Sequence, residues 1–215
     1  MNVHFRTLTV VTVFGGLALS RSAGIAGEER GFYAGADLGG AIAESTSLRE
    51  FPDATPGGDV KFHPGARLSL NGGYRFNNWF SLGAETGVIV NEAKAADITL
   101  SQTPFLANVE FRMPNKSPIE PYIGGGPGVS VSVIALDDDG LNSGSNVDGS
   151  AGDAVFAWQA YAGVRYKINE TMSVGVVYKY FEADAPTWDV GGTSQDIRFG
   201  RAHVHSFSAS FLWNF

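Results

Sequence analysis

"HVHSFSASFLWNF" occupies residues 203–215 and closes the sequence. In an extended chain successive side chains point to opposite faces, so His203, His205, Phe207, Ala209, Phe211, Trp213 and Phe215 share one face. Ser206, Ser208, Ser210 and Asn214 share the other. Terminal residues fray unless something ties them down, yet Phe215 continues the apolar phase to the last position. The stretch predicts a strand with an aromatic face that needs an apolar neighbour along its whole length.

Seven earlier segments follow the same period. Phe32, Ala34, Ala36, Leu38 and Ile42 alternate with Tyr33, Gly35, Asp37 and Gly39. Ala66, Leu68, Leu70, Tyr74 and Phe76 oppose Arg67, Ser69, Asn71 and Arg75, and Phe80, Leu82, Ala84, Val88 and Val90 oppose Ser81, Gly83, Glu85 and Gly87. Phe105, Ala107, Val109 and Phe111 oppose Asn108, Glu110 and Arg112. Ile123, Pro127, Val129, Val131 and Val133 oppose Gly124, Gly126, Gly128, Ser130 and Ser132. Phe156, Trp158, Ala160, Ala162, Val164, Tyr166 and Ile168 oppose Gln159, Tyr161, Arg165 and Lys167, and Met172, Val174, Val176, Tyr178 and Tyr180 oppose Ser173, Gly175 and Lys179. Eight such strands make the even count that a closed up-and-down barrel requires.

The connections alternate in length. Asn77 to Trp79, "MPNKSPIE" at 113–120 and "NET" at 169–171 are short turns rich in Asn, Pro and Ser. Residues 43–64, 91–101, 134–154 and 182–202 are long and polar. Short turns at one rim and long loops at the other are the pattern of a transmembrane barrel, with the termini on the short-turn side.

Which face looks into the barrel follows from size and charge. The strand charges Asp37, Arg67, Arg75, Glu85, Glu110, Arg112, Arg165, Lys167 and Lys179 all lie opposite the apolar face. An eight-stranded barrel has an interior just wide enough for side chains to fill, and rings from every strand would crowd it. The small and polar set therefore faces the lumen and the apolar set faces hydrocarbon, where closure satisfies every backbone N–H and C=O. Tyr74, Phe76, Phe80, Phe111, Tyr166, Trp213 and Phe215 gather at one end of their strands, and Phe156, Trp158, Tyr178 and Tyr180 at the other. Two aromatic rims match the two membrane interfaces.

The N-terminus reads as a cleaved secretory signal, residues 1–26. It has Arg6, the apolar run "LTVVTVFGGLALS" and small residues up to Ala26, ahead of a barrel domain at 27–215. Losing Arg6 and Arg21 and no acid takes the formal charge from -7 to -9. So acidic a chain lacks the clustered bases of a nucleic-acid binder. There is no cysteine, which rules out a disulfide scaffold, and the 28 glycines suit closely approaching strands.

The leader, the "PYIGGGPG" stretch at Pro121 to Gly128 and the terminal Phe215 on its alternating strand together resemble the bacterial outer-membrane β-barrel family of OmpA-like and OmpX-like proteins. The resemblance implies an all-β, eight-stranded antiparallel barrel in the bacterial outer membrane, with short periplasmic turns and long extracellular loops. It also implies that Phe215, with Trp213 and Phe211, is read by the barrel-assembly machinery. No peptidoglycan-binding module of the OmpA type follows residue 215, so a cell-wall anchoring role is not expected.

Three features bear on chemistry. Six lumen bases, Arg67, Arg75, Arg112, Arg165, Lys167 and Lys179, face three acids, Asp37, Glu85 and Glu110. They make either a paired plug or an anion path, and the narrow interior favours the plug. The third long loop carries Asp137, Asp138, Asp139, Asp148 and Asp153 with no base, oxygen ligands of the kind divalent cations take, without EF-hand spacing. Fifteen acids against five bases in the four long connections would repel anionic lipopolysaccharide unless divalent cations bridge them. Some outer-membrane barrels modify lipid A with a lipid-facing histidine, which brings in His203 and His205. Ser206 and Ser208 have the opposite parity, and no partner serine is evident beside Glu44 or Glu182. No motif for a cofactor, metal or phosphate is present. The expectation is a non-enzymatic surface protein, an adhesin or antigen, in contact with outer-membrane lipid. A narrow-solute channel or a lipid-modifying enzyme is the alternative.

Overall fold

The computed structural model describes residues 30–50, 59–60, 62–92, 98–136, 151–188 and 197–215. The expected leader and the run Asp137 to Asp148 lie outside them. Twelve strands follow one another: β1 (Gly31–Ala43), β2 (Thr46–Glu50), β3 (Asp59–Val60), β4 (Gly65–Arg75), β5 (Phe80–Glu92), β6 (Ile98–Arg112), β7 (Ile119–Leu136), β8 (Ala151–Lys167), β9 (Met172–Ala183), β10 (Thr187–Trp188), β11 (Ile197–Phe199) and β12 (Ala202–Asn214). Eight of them close a barrel in the order β1-β12-β9-β8-β7-β6-β5-β4, every neighbour antiparallel. The seam pairs β1 with β12, from Tyr33↔Asn214 to Ala43↔Val204, so the final strand is held along its length.

Side-chain parity in each strand follows the sequence period. Val176 and Phe207 are 65% exposed and Leu38 is 64% exposed on the outer wall, whereas Arg67 is 1% and Lys179 2% exposed inside it. Aromatic rings gather at both ends of the outer wall. At the short-turn end Phe32, Tyr74, Phe76, Phe80 and Phe111 follow one another with centroids 5.0–5.6 Å apart, and Trp79 stacks on Phe111. At the long-loop end Trp158 lies on Tyr180, and Tyr178 on Phe207.

The expectation of four long loops changes. The long connections are partly strand: β5 runs to Glu92 and β6 starts at Ile98, and β7 and β8 extend to Leu136 and from Ala151. At 15, 18 and 17 residues, β6, β7 and β8 exceed the roughly 9–11 residues that cross a bilayer, so their ends stand outside it. The segments 43–64 and 182–202 hold the short strands β2, β3, β10 and β11, paired in the order β10-β11-β2-β3. That order repeats β9-β12-β1-β4, the barrel strands that feed them, so the pairing carries on past the barrel rim.

Two interruptions mark β6. Its pairing with β5 skips between Thr86↔Phe105 and Ile89↔Gln102, and its pairing with β7 between Leu106↔Gly128 and Val109↔Gly125. Pro104 and Pro127 lie in those gaps, where a residue without an N–H cannot donate to the ladder.

Candidate functional site

The lumen is built in three layers. The middle layer carries Asp37, Arg67, Glu85 and Lys179 of the charged set that alternation placed inside. Lys179 on β9 donates to Asp37 of β1 and to Glu85 of β5, both at 2.7 Å. Arg67 on β4 donates to Glu85 at 2.9 Å and to the Gln159 side-chain oxygen of β8 at 2.7 Å. Gln159 returns a hydrogen bond to the second oxygen of Glu85 at 2.9 Å, and Asn71 holds Asp37 at 3.1 Å. Glu85 is 5% exposed, so its burial is tolerable only because two cations and an amide hold it.

Toward the short-turn end, Arg165 and Glu110 form a two-pronged pair with both bonds at 2.7 Å, and the Arg165 guanidinium lies 3.6 Å from the centre of the Tyr122 ring. Arg112 donates to the backbone carbonyls of Asn77 and Asn78 and thereby ties β6 to the β4–β5 turn. Arg75 and Lys167 meet Glu120 at 3.7 Å and 3.2 Å. Sequence reading had placed Glu120 in the turn. It is the second residue of β7 and 5% exposed, in phase with Tyr122 and Gly124, so a strand started two residues earlier would have found it. Among the described residues Glu120 thus joins Asp37, Glu85 and Glu110 as a buried lumen acid.

Inward tyrosines account for part of the glycine content. A Cβ placed on Gly124 would run into the Tyr161 ring, and one on Gly163 into the Tyr122 ring. Each large ring lies over a neighbouring position that carries no side chain.

The third layer corrects the expectation of a lumen lined only by small and polar groups. At the long-loop end Ala41, Ile89, Leu106, Ala157, Phe181, Ala183 and Val204 form one buried apolar cluster drawn from six strands. Phe181 is wholly buried, and the Arg67 guanidinium sits 5.8 Å from its ring centre. Single apolar residues at inward positions are inconspicuous in the sequence, since their convergence depends on the relative heights of the strands.

On the outer wall, beside the long-loop rim, the two histidines meet the carboxylates that the sequence reading named, Glu44 and Glu182, and tyrosine hydroxyls that it missed. His205 is hydrogen-bonded to the Tyr178 hydroxyl at 2.7 Å and to Glu44 at 2.9 Å; His203 meets the Tyr180 hydroxyl at 2.8 Å. Glu182 lies 3.7 Å from His203 and 3.3 Å from the Tyr180 hydroxyl. Ser206 and Ser208 are buried inside the barrel, as their parity predicts. Among the described residues no three His, Cys, Asp or Glu converge as metal ligands.

A closed antiparallel barrel with an apolar, aromatic-rimmed outer wall and a charged lumen defines an integral outer-membrane β-barrel protein. The family model for the outer membrane protein beta-barrel domain matches residues 9–215, and the chain belongs to that family. It is a protein of the bacterial outer membrane. Among solved structures it is similar to Neisserial surface protein A (TM-score 0.60, 18% identity, 86% of this chain and 97% of that one). It is also similar to OprG from Pseudomonas aeruginosa (0.58, 14%, 88% and 99%) and to AlkL in lipid bilayers (0.51, 16%, 93% and 98%). At such identities the likeness is one of fold. No curated protein sequence matches the chain.

Proposed function

We propose that this chain is a non-enzymatic outer-membrane barrel, closed to bulk solutes, that acts through the surface it presents outside the cell, as an adhesin or surface antigen. One observation carries the closed lumen: the Arg67 side chain from β4 meets the Gln159 side chain from β8, so two buried side chains bridge the interior. The exposed part of the reading is supported by strands that outrun the bilayer and by the paired extension β10-β11-β2-β3. In this reading residues 1–26 are a cleaved leader, the barrel-assembly machinery receives the Phe211, Trp213 and Phe215 strand, and divalent cations bridge the acidic loops to lipopolysaccharide.

Planar-bilayer recording of the refolded protein tests the closed lumen, with no stable conductance of porin size expected. A steady ohmic conductance together with liposome swelling in small sugars would overturn it in favour of a solute channel. Labelling of intact cells at residues 43–64 and 182–202 tests the surface role, and loops that stay unlabelled in intact cells would count against it.

A lipid-modifying enzyme is the second reading, favoured by the order carboxylate, imidazole, hydroxyl in Glu44, His205 and Tyr178. The imidazole–phenol contact recurs between His203 and Tyr180, which suits a belt that rivets β9 to β12 at the interface better than a single reactive centre. Release of fatty acid from outer-membrane lipid by the wild type, lost in Tyr178→Phe, would reverse that preference.

A further inference from the structure

We propose that the barrier to ions in this barrel is the apolar septum around Phe181, and that the charged layer beneath it takes in water. The proposal rests on the closed-lumen reading and assigns the layer that closes it. Septum and charged layer differ in how they treat water. An ion entering the septum must shed its hydration shell among side chains that carry no hydrogen-bonding group, and apolar constrictions exclude ions by staying dry. Three of the seven septum residues are alanines, so the Phe181 ring is the largest group filling the cross-section, with Ile89 and Leu106 converging from β5 and β6.

The charged layer has the opposite character. Glu85 has four donors within reach, Arg67, Lys179, Gln159 and, at 3.5 Å, Asn108. Hydrogen bonds in such a set exchange for water without leaving a charge unpaired. Beside it lies a cavity of about 20 Å³ lined by Asp37, Asn71, Glu85, Glu110 and Lys179 among others, polar and with room for about one water between several partners. The charged layer thus offers an ion polar groups and a water site that the apolar layer does not, and the resistance to ion flow is concentrated in that apolar layer.

Single-channel recording in planar bilayers separates the two layers. Wild type, Phe181→Leu, Phe181→Ser, Leu106→Ser and Glu85→Gln are each shown to be folded by heat-modifiable migration before recording. Wild type, Phe181→Leu and Glu85→Gln should show no unitary steps, and Phe181→Ser should show discrete ones. If Phe181→Ser does not fold, Leu106→Ser carries the test in the same layer. Folded serine variants that stay closed overturn the proposal, as does opening by Glu85→Gln, which would make the charged layer the seal. A conducting wild type overturns the closed-lumen reading itself.

Discussion

Arg67 donates a 2.7 Å hydrogen bond to Gln159, and the strands that carry them, β4 and β8, stand opposite each other in the eight-strand ring. The guanidinium also contacts Glu85, Ser69 and Ser206, so one residue ties together four of the eight walls. Arginine suits this position because its planar fork presents five donors in fixed directions and keeps its charge when buried. Two side chains meeting end to end cross the barrel interior, as expected where eight strands leave a space that side chains fill.

The Arg165–Glu110 pair is a sensitive point of the lumen. Glu110→Ala would leave the Arg165 guanidinium, 5% exposed, without its two-pronged partner. Breaking a buried pair from one side costs about 3–5 kcal/mol. Urea unfolding in lipid vesicles should show a loss of that order for Glu110→Ala and a smaller one for Glu110→Gln, which keeps an acceptor. Equal stability of Glu110→Ala and wild type would show that Glu120, 3.8 Å from Arg165, takes over the charge.

Val176 lies on the outer wall of β9, two residues before the Tyr178 and Tyr180 rim, 65% exposed. An arginine facing lipid near the bilayer midplane costs about 2–4 kcal/mol, so Val176→Arg should lower stability in vesicles by that amount. Arginine at Ser173, which is 2% exposed and faces the lumen, should act through packing and depend little on bilayer thickness. Val176→Arg with no cost would mean that this stretch of wall does not face lipid.

Gly163→Val tests the packing of rings over glycines. The new side chain would collide with the Tyr122 ring, and Tyr122 in turn stacks on Arg165. Overpacking of this kind costs about 1–3 kcal/mol, and the double change Gly163→Val with Tyr122→Ala should recover part of it. Strict additivity of the two changes would show that the ring is free to move aside.

Removal of Phe215 tests the terminal strand as an assembly signal. Its N–H bonds the Phe32 carbonyl at 2.9 Å at the edge of the seam and its side chain is 56% exposed, so the folded barrel should lose little by its deletion. Outer-membrane levels should nevertheless fall, with unfolded protein left in the periplasm. Unchanged membrane yield and heat-modifiable migration would refute the assembly role.

The sequence alone determined which way each strand residue points. Parity is a local property of extended backbone, so Lys179 inside and Val176 outside could be read from a nine-residue window without knowing any partner. It also determined that the wall must close, since apolar faces of this kind need hydrocarbon outside and paired backbone throughout. Tertiary structure decided height. Closure sets the tilt and stagger of all eight strands together, and only then does Arg67 fall level with Gln159, 92 positions away, and Glu120 level with Lys167. The same stagger brings Ile89, Leu106, Phe181 and Val204 to one level as a septum. The outward contacts of His205 arise likewise, because Glu44 lies just beyond β1 and reaches it only across the closing seam.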